Sequence, residues 1–158
     1  MQRVPITREG YERLLQELQR LQKEERPAVI QAIEEARGHG DLSENAEYEA
    51  AKEKQALIEG RIKDLQERLA NSEIIQPDGD GDGDGRVMFG RTVVLEDLDS
   101  GETLSYRLVG PYEADIQSGT LSVSSPIGKA LISKEVGDEV KVKTPRGLRT
   151  LEILEVRP

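Results

Sequence analysis

Two segments with helical apolar spacing, separated by only a short glycine-bracketed turn, constrain this chain most. In the first, apolar side chains recur at Tyr11, Leu14, Leu15, Leu18 and Leu21, and again at Val29, Ile30, Ile33 and Ala36. This is the period of one helix face, and the positions between are largely charged. Thr7 is placed to cap the helix, with Glu9 in the first turn, where the helix dipole favours negative charge. Pro27 removes one backbone hydrogen bond, so a bend or a break is expected there, and the resumed period favours a bend. The second helix is expected to start near Asp41 to Ser43 and to run to about Ala70. Its apolar positions are Ala51, Leu57, Ile58, Ile62, Leu65 and Leu69, and the steps from Ile58 to Leu69 make a heptad seam. Helices joined so closely are antiparallel neighbours. The expectation is an antiparallel coiled-coil hairpin roughly 40 Å long.

The turn, Gly38 through Tyr48, then becomes the tip of a finger. Asp41 and Glu44, three apart, have the spacing of a capping box at the start of the second helix. A capping carboxylate at an exposed tip still keeps an oxygen face for a cation. Magnesium commonly takes one or two protein carboxylates and completes its shell with water and phosphate oxygens, so the tip is half a metal site. A partner would have to supply the rest. Arg37 and Lys52 flank the tip and either touch a phosphate or merely solvate a helix face. Tyr48 either packs on Leu42 or offers its ring or hydroxyl to RNA. His39 is the only histidine, which excludes a His-based triad and a multi-His zinc site.

Helix formers dominate up to about residue 75, whereas Val, Thr, Gly, Pro and Ser dominate after residue 86. The implied organisation is a hairpin over residues 1–75, an acidic glycine-rich linker over 76–86 and a second domain over 87–158. Asp78, Asp80, Asp82 and Gly83 match the opening of a calcium loop. Phe89, however, stands where that loop needs a bidentate Glu, and a solvated linker is the better reading. Strands are expected at Val87 to Phe89, Thr92 to Leu95, Thr103 to Val109, Thr120 to Ser124, Glu139 to Thr144 and Arg149 to Val156, with one short helix from Pro126 to Ser133. The fold class is therefore α+β, a helical hairpin followed by a small, mostly antiparallel sheet.

A net charge of −9 argues against blanket neutralisation of duplex phosphates, and no sequence-specific DNA binding is expected. With no Trp and one Phe, the chain lacks aromatic platforms for stacking successive bases. Having no cysteine, it can form neither a disulfide framework nor a thiolate zinc site. No apolar run is long enough to span a bilayer, and the expected location is the cytoplasm, away from membranes.

The run Gly40, Asp41, Leu42, Ser43, Glu44, Asn45, Ala46, Glu47, Tyr48 and the later run Ser125, Pro126, Ile127, Gly128, Lys129, Ala130, Leu131, Ile132 resemble the Gre family of bacterial transcript cleavage factors. The likeness extends to the Tyr11 and Leu14 region and to Gly60, Arg61 and Ile62; the acidic linker is the main departure. The resemblance implies that the C-terminal domain has an FKBP-like fold and docks on the rim of the secondary channel of bacterial RNA polymerase, while the coiled coil enters that channel. It further implies that Asp41 and Glu44 act in trans, helping to hold an Mg²⁺ ion shared with the polymerase active site. The polymerase then cleaves the 3′ end of its own backtracked nascent RNA. Arg37, Lys52 and Tyr48 would contact that RNA, and Gly38, Gly40, Leu42, Ser43 and Asn45 would shape the tip. Ser125, Pro126, Ile127 and Lys129 are the expected docking residues, unless their apolar members simply fill the core.

On this reading the chain is an accessory factor and not an enzyme. Two alternatives differ in class. One is a channel-plugging inhibitor without cleavage activity, against which the intact acidic pair speaks. The other is a prolyl isomerase in the C-terminal domain, which offers only Phe89, Tyr106 and Tyr112 for an aromatic pocket.

Overall fold

The computed structural model describes residues 3–38, 46–76 and 85–158. The chain forms two compact units, one made of Met1–Gly10 together with Ser72–Pro158, the other of Tyr11–Asn71. The first ten residues and those just after Asn71 therefore belong with the sheet and not with the hairpin, unlike the division at residue 75 drawn from composition. Two short strands are the reason. Strand β1 (Val4–Ile6) pairs in parallel with β2 (Ser72–Ile74), Val4 opposite Ser72 and Ile6 opposite Ile74. The Ile75 N–H donates to the Ile6 carbonyl at 2.9 Å, extending the pair.

In the helical unit, α1 (Arg8–Arg20), a π-helical segment (Leu21–Glu25) and α2 (Arg26–Arg37) form one continuous helical run. The expected disturbance at Pro27 takes a specific form. Proline has no N–H to give the carbonyl four residues back, and its ring crowds that carbonyl. The turn before it widens, and the Arg26 N–H bonds to the Leu21 carbonyl five residues back.

Helix α3 (Ala46–Asn71) packs along this run. Leu14, Leu18, Leu21, Val29, Ile33 and Ala36 on one arm and Ala51, Ile58, Ile62 and Leu65 on the other are buried. Leu57 and Ile30, expected in the apolar stripe, face solvent instead, at 75% and 44% exposure. Leu57 immediately precedes Ile58, so a helix that buries Ile58 turns Leu57 off the seam. Two bidentate ion pairs fix the register between the arms. Arg26 donates to both Glu59 oxygens at 2.8 and 2.7 Å, and Arg61 to both Glu17 oxygens at 2.8 and 2.9 Å. The Arg61 hydrogen bonds hold the Glu17 carboxyl below the usual glutamate range.

The sheet unit contains five strands in the order β5-β4-β3-β7-β6: β3 (Thr92–Asp97), β4 (Thr103–Val109), β5 (Thr120–Ser122), β6 (Glu139–Thr144) and β7 (Gly147–Arg157). All neighbours are antiparallel except β4 and β5. Strand β6 buries Val140 and Val142 and exposes Lys141 and Lys143, as its alternation requires. The core is Val87, Val93, Leu95, Leu108, Leu121, Leu131, Val140, Val142, Leu151 and Ile153, closed by the short helix α4 (Pro126–Leu131).

Val87 to Phe89, expected as a strand, is not one. Val87 instead exchanges hydrogen bonds with the loop after α4, donating to the Lys134 carbonyl and accepting from the Ser133 N–H, both at 2.8 Å.

Candidate functional site

Helix α2 ends where the tip begins. Gly38 closes it in a right-handed conformation, its N–H shared between the Glu34 and Glu35 carbonyls at 3.2 and 3.1 Å. Arg37 is exposed in the last turn, where the helix dipole favours a cation. On the facing arm Tyr48 is half-buried, and Lys52 is exposed with its ammonium donating to Gln55 at 3.3 Å. The seam at this end is made of alanines, Ala36 and Ala51, both buried, and small seam residues let helix axes approach closely. The seam beside residue 38 is therefore made of small side chains, with exposed cations on both arms. His39, Gly40, Asp41, Leu42, Ser43, Glu44 and Asn45 lie outside the described residues, as does the acidic run 77–84 of the linker. Among the described residues no group of three or more acidic, histidine or cysteine side chains could hold a metal ion. Asp41 and Glu44, the expected metal ligands, are therefore outside the described residues.

The second candidate region is α4. Ser125 caps it, its hydroxyl accepting from the Gly128 N–H at 3.1 Å and donating to the Ser122 carbonyl at 2.6 Å. Pro126 occupies the first turn, where its missing N–H costs nothing. Gly128 is required by proximity. A Cβ there would overlap the Ser122 carbonyl oxygen and lie 3.0 Å from the Ser122 carbonyl carbon and the Val123 Cα. The Ser-Pro-Ile-Gly run thus seats a six-residue helix directly on the backbone after β5.

Beside α4 lies an apolar groove of about 240 Å³, lined by Ser125, Pro126 and Ile127 from the helix and by Ile116, Leu121, Val142, Lys143, Thr144 and Pro145. Leu121 and Val142 are buried, and Ile116 stands 57% exposed. The structure brings three of the four expected docking residues to this groove; Lys129, exposed on α4, is not among its lining. The sequence marks Thr144, Pro145, Arg146 and Gly147 as a hairpin turn, but neither the place of that turn beside α4 nor that of Ile116 is legible in it. Ile116 follows Asp115, which caps a 3₁₀ turn by accepting from the Gln117 N–H at 3.1 Å. Nothing local announces that this turn sits beside α4.

No helix among the described residues is long and apolar enough to cross a membrane. Comparison with known proteins covers nearly the whole chain. Residues 4–74 match the family model described as transcription elongation factor, N-terminal, and residues 82–158 match the C-terminal model of GreA/GreB. The transcription elongation factor GreA of Syntrophobacter fumaroxidans is 67% identical, over 99% of both chains. That of Halorhodospira halophila is 54% identical over the same share of each. Among solved structures, GreA factor homolog 1 of Thermus thermophilus is 35% identical, covering 99% of this chain and 100% of its own, with a TM-score of 0.44.

Proposed function

Because the chain belongs to the GreA/GreB family of transcription elongation factors, we propose that it rescues backtracked RNA polymerase by stimulating the polymerase's own cleavage of the extruded RNA. The hairpin enters the secondary channel and carries Asp41 and Glu44 to the catalytic centre. The observation that supports this reading is the end of the hairpin beside residue 38, where buried alanines form the seam and Arg37 and Lys52 stand exposed on its two arms. A seam of small residues suits a narrow passage, and exposed cations suit a phosphate backbone.

At the centre, Asp41 and Glu44 would help hold a magnesium ion, which in phosphodiester hydrolysis stabilises the charge on an attacking or leaving oxygen. The two carboxylates orient the site and raise occupancy. Arg37 and Lys52 draw in the extruded strand, and Tyr48 lies against it. A tenfold acceleration requires only about 1.4 kcal/mol of transition-state stabilisation, within the reach of two well-placed ligands. The groove beside α4 docks on the channel rim, so the hydrolytic chemistry remains the polymerase's and the chain acts as an accessory factor in the cytoplasm.

The test is cleavage of 3′-extruded RNA in purified stalled polymerase complexes with magnesium, comparing wild type with Asp41→Asn and Glu44→Gln. Variants that bind yet fail to stimulate support a metal-ligating tip. Variants that cleave at the wild-type rate reduce the pair to a helix cap and refute the mechanism.

A further inference from the structure

The two arms of the hairpin do not keep the same count. On α3 the buried and half-buried positions Ala51, Gln55, Ile58, Ile62, Leu65 and Leu69 step by four and three without interruption, as in a regular heptad seam. On the first arm the same steps run from Leu14 through Leu18 to Leu21, and again from Val29 through Ile33 to Ala36. Leu21 and Val29, however, stand eight residues apart, one residue more than a heptad. Both stripes face α3. Glu17, beside Leu18, is bonded by Arg61, and Arg26, one turn ahead of Val29, bonds to Glu59.

In an unbroken α-helix one surplus residue turns everything after it by about 100°. Here the surplus falls in the π-helical segment Leu21–Glu25, whose wider turn takes it up and returns α2 to the phase of the seam. Pro27 favours a wide turn at this place because it has no N–H for an α-turn to use, but the residue count is what makes the turn necessary. Carried through unbroken from Leu21, the heptad count would instead seat Glu25, Ala28, Ala32 and Glu35 in the seam.

The phase of α2 decides where its cation stands. Arg37 follows the seam residue Ala36, as Lys52 follows the seam residue Ala51. On right-handed helices running antiparallel, the positions that follow the seam fall on one flank of the pair. The Arg26–Glu59 bond marks that flank: Glu59 follows the seam residue Ile58, and Arg26 lies one turn before Ile30, which follows Val29. Tyr48, one turn before Lys52, shares it. We infer that the wide turn at Leu21–Glu25 is a positioning element: by absorbing one surplus residue it brings Arg37 onto the flank that carries Tyr48 and Lys52, and so assembles a single RNA-contacting face. This inference rests on the reading of those three residues as RNA contacts given above.

The test uses the full-length chain as wild type, with Glu24 deleted together with Pro27→Ala, and with one alanine inserted after Glu24. Glu24 is exposed, so its deletion empties no buried position. Each form is prepared with and without Arg37→Ala, checked by circular dichroism, unfolded in urea and assayed for RNA cleavage in stalled polymerase complexes. The deletion exchanges the wide turn for regular α-turns and leaves both stripes in the seam. Its urea midpoint is expected to equal or exceed that of the wild type, and Arg37→Ala should slow cleavage about tenfold in both. The insertion adds a second surplus residue, so Arg37→Ala should change its cleavage by less than about twofold. A merely structural turn would alter stability without altering the cost of Arg37→Ala. If the insertion does not fold, the deletion decides. A lowered urea midpoint in the deletion, loss of the Arg37→Ala effect there, or the full effect retained in the insertion overturns the inference. No effect of Arg37→Ala in the wild type would overturn Arg37 as an RNA contact, and this inference with it, whereas absence of any stimulation by the wild type would overturn the functional reading itself.

Discussion

Substituting Gly128 with alanine places a methyl group against the Ser122 carbonyl, with the Ser122 carbonyl carbon and the Val123 Cα at 3.0 Å. Both neighbours are backbone, so the strain is not relieved by rotating a side chain. Relief requires α4 to lift from β5, and two contacts resist that. Ser125 would lose its capping bond, worth about 1 kcal/mol. Leu131, fully buried, would be partly withdrawn from a site where burial is worth about 1.5–3 kcal/mol. Overpacking of this kind costs about 1–3 kcal/mol, and the better helix propensity of alanine returns about 1. The net expectation is a loss of about 2 kcal/mol, at the upper end of those strain and propensity values. Gly60 supplies the control. It lies inside α3 with no atom within 4 Å of a Cβ, so Gly60→Ala should gain about 0.5–1 kcal/mol. Urea unfolding followed by circular dichroism measures both. Equal or greater stability for Gly128→Ala would refute the claim that close backbone approach is what demands glycine in the Ser-Pro-Ile-Gly run.

Two further outcomes follow from single side chains. Asp97 is 1% exposed, and the Arg149 hydrogen bonds hold its carboxyl below the usual aspartate range, against burial and helped by the Asp99 and Ser100 N–H groups. A depressed carboxylate contributes stability above its unfolded pKa and loses it as protons bind to the folded form, so the contribution should fade as the pH drops below about 4. Acid titration of unfolding should therefore be steeper in that range for wild type than for Asp97→Asn; identical slopes would count against the pair. Ile116 stands on the rim of the groove beside α4, and Ile116→Lys should weaken polymerase binding about tenfold, the scale of an apolar interface anchor, while changing stability by less than about 0.5 kcal/mol. Unchanged affinity would place docking elsewhere.

The long elements were legible because their signals are local and repeated. Ile58, Ile62 and Leu65 spaced by four and three can share only one face of a helix, and the alternation of Val140 and Val142 with lysines fits only a half-buried strand. What was not legible depends on partners distant in sequence. The strands β1 and β2 are three residues each and owe their existence to one another, so neither carries a period of its own. Leu57 was assigned to the stripe on hydrophobicity, yet packing chose Ile58. Pro27 announced a disturbance without its form, because whether a helix kinks, breaks or widens depends on what the other arm holds in place, here through Arg26 and Glu59. At the candidate site, Ser125, Pro126 and Ile127 were legible as a capped helix start, whereas the groove they line needed Ile116, Val142 and Pro145 brought up from other elements. Glu113, whose carboxylate accepts from the Thr7 and Gly110 N–H groups, carries no local signal of those contacts.

The pairing of Thr7 with Glu113, 106 positions later, also sets an order of events on the ribosome. Helix α1 and its partner are complete once Asn71 has been synthesised, and their contacts form in microseconds to milliseconds. The carboxylate that accepts from Thr7 arrives only after a further stretch of translation, a matter of seconds at roughly 5–20 residues per second. During that interval the Thr7 N–H and hydroxyl lack their Glu113 partner. Any factor that meets the emerging chain then meets a helical hairpin whose leading residues, Val4 to Thr7, still lack the sheet unit they belong to.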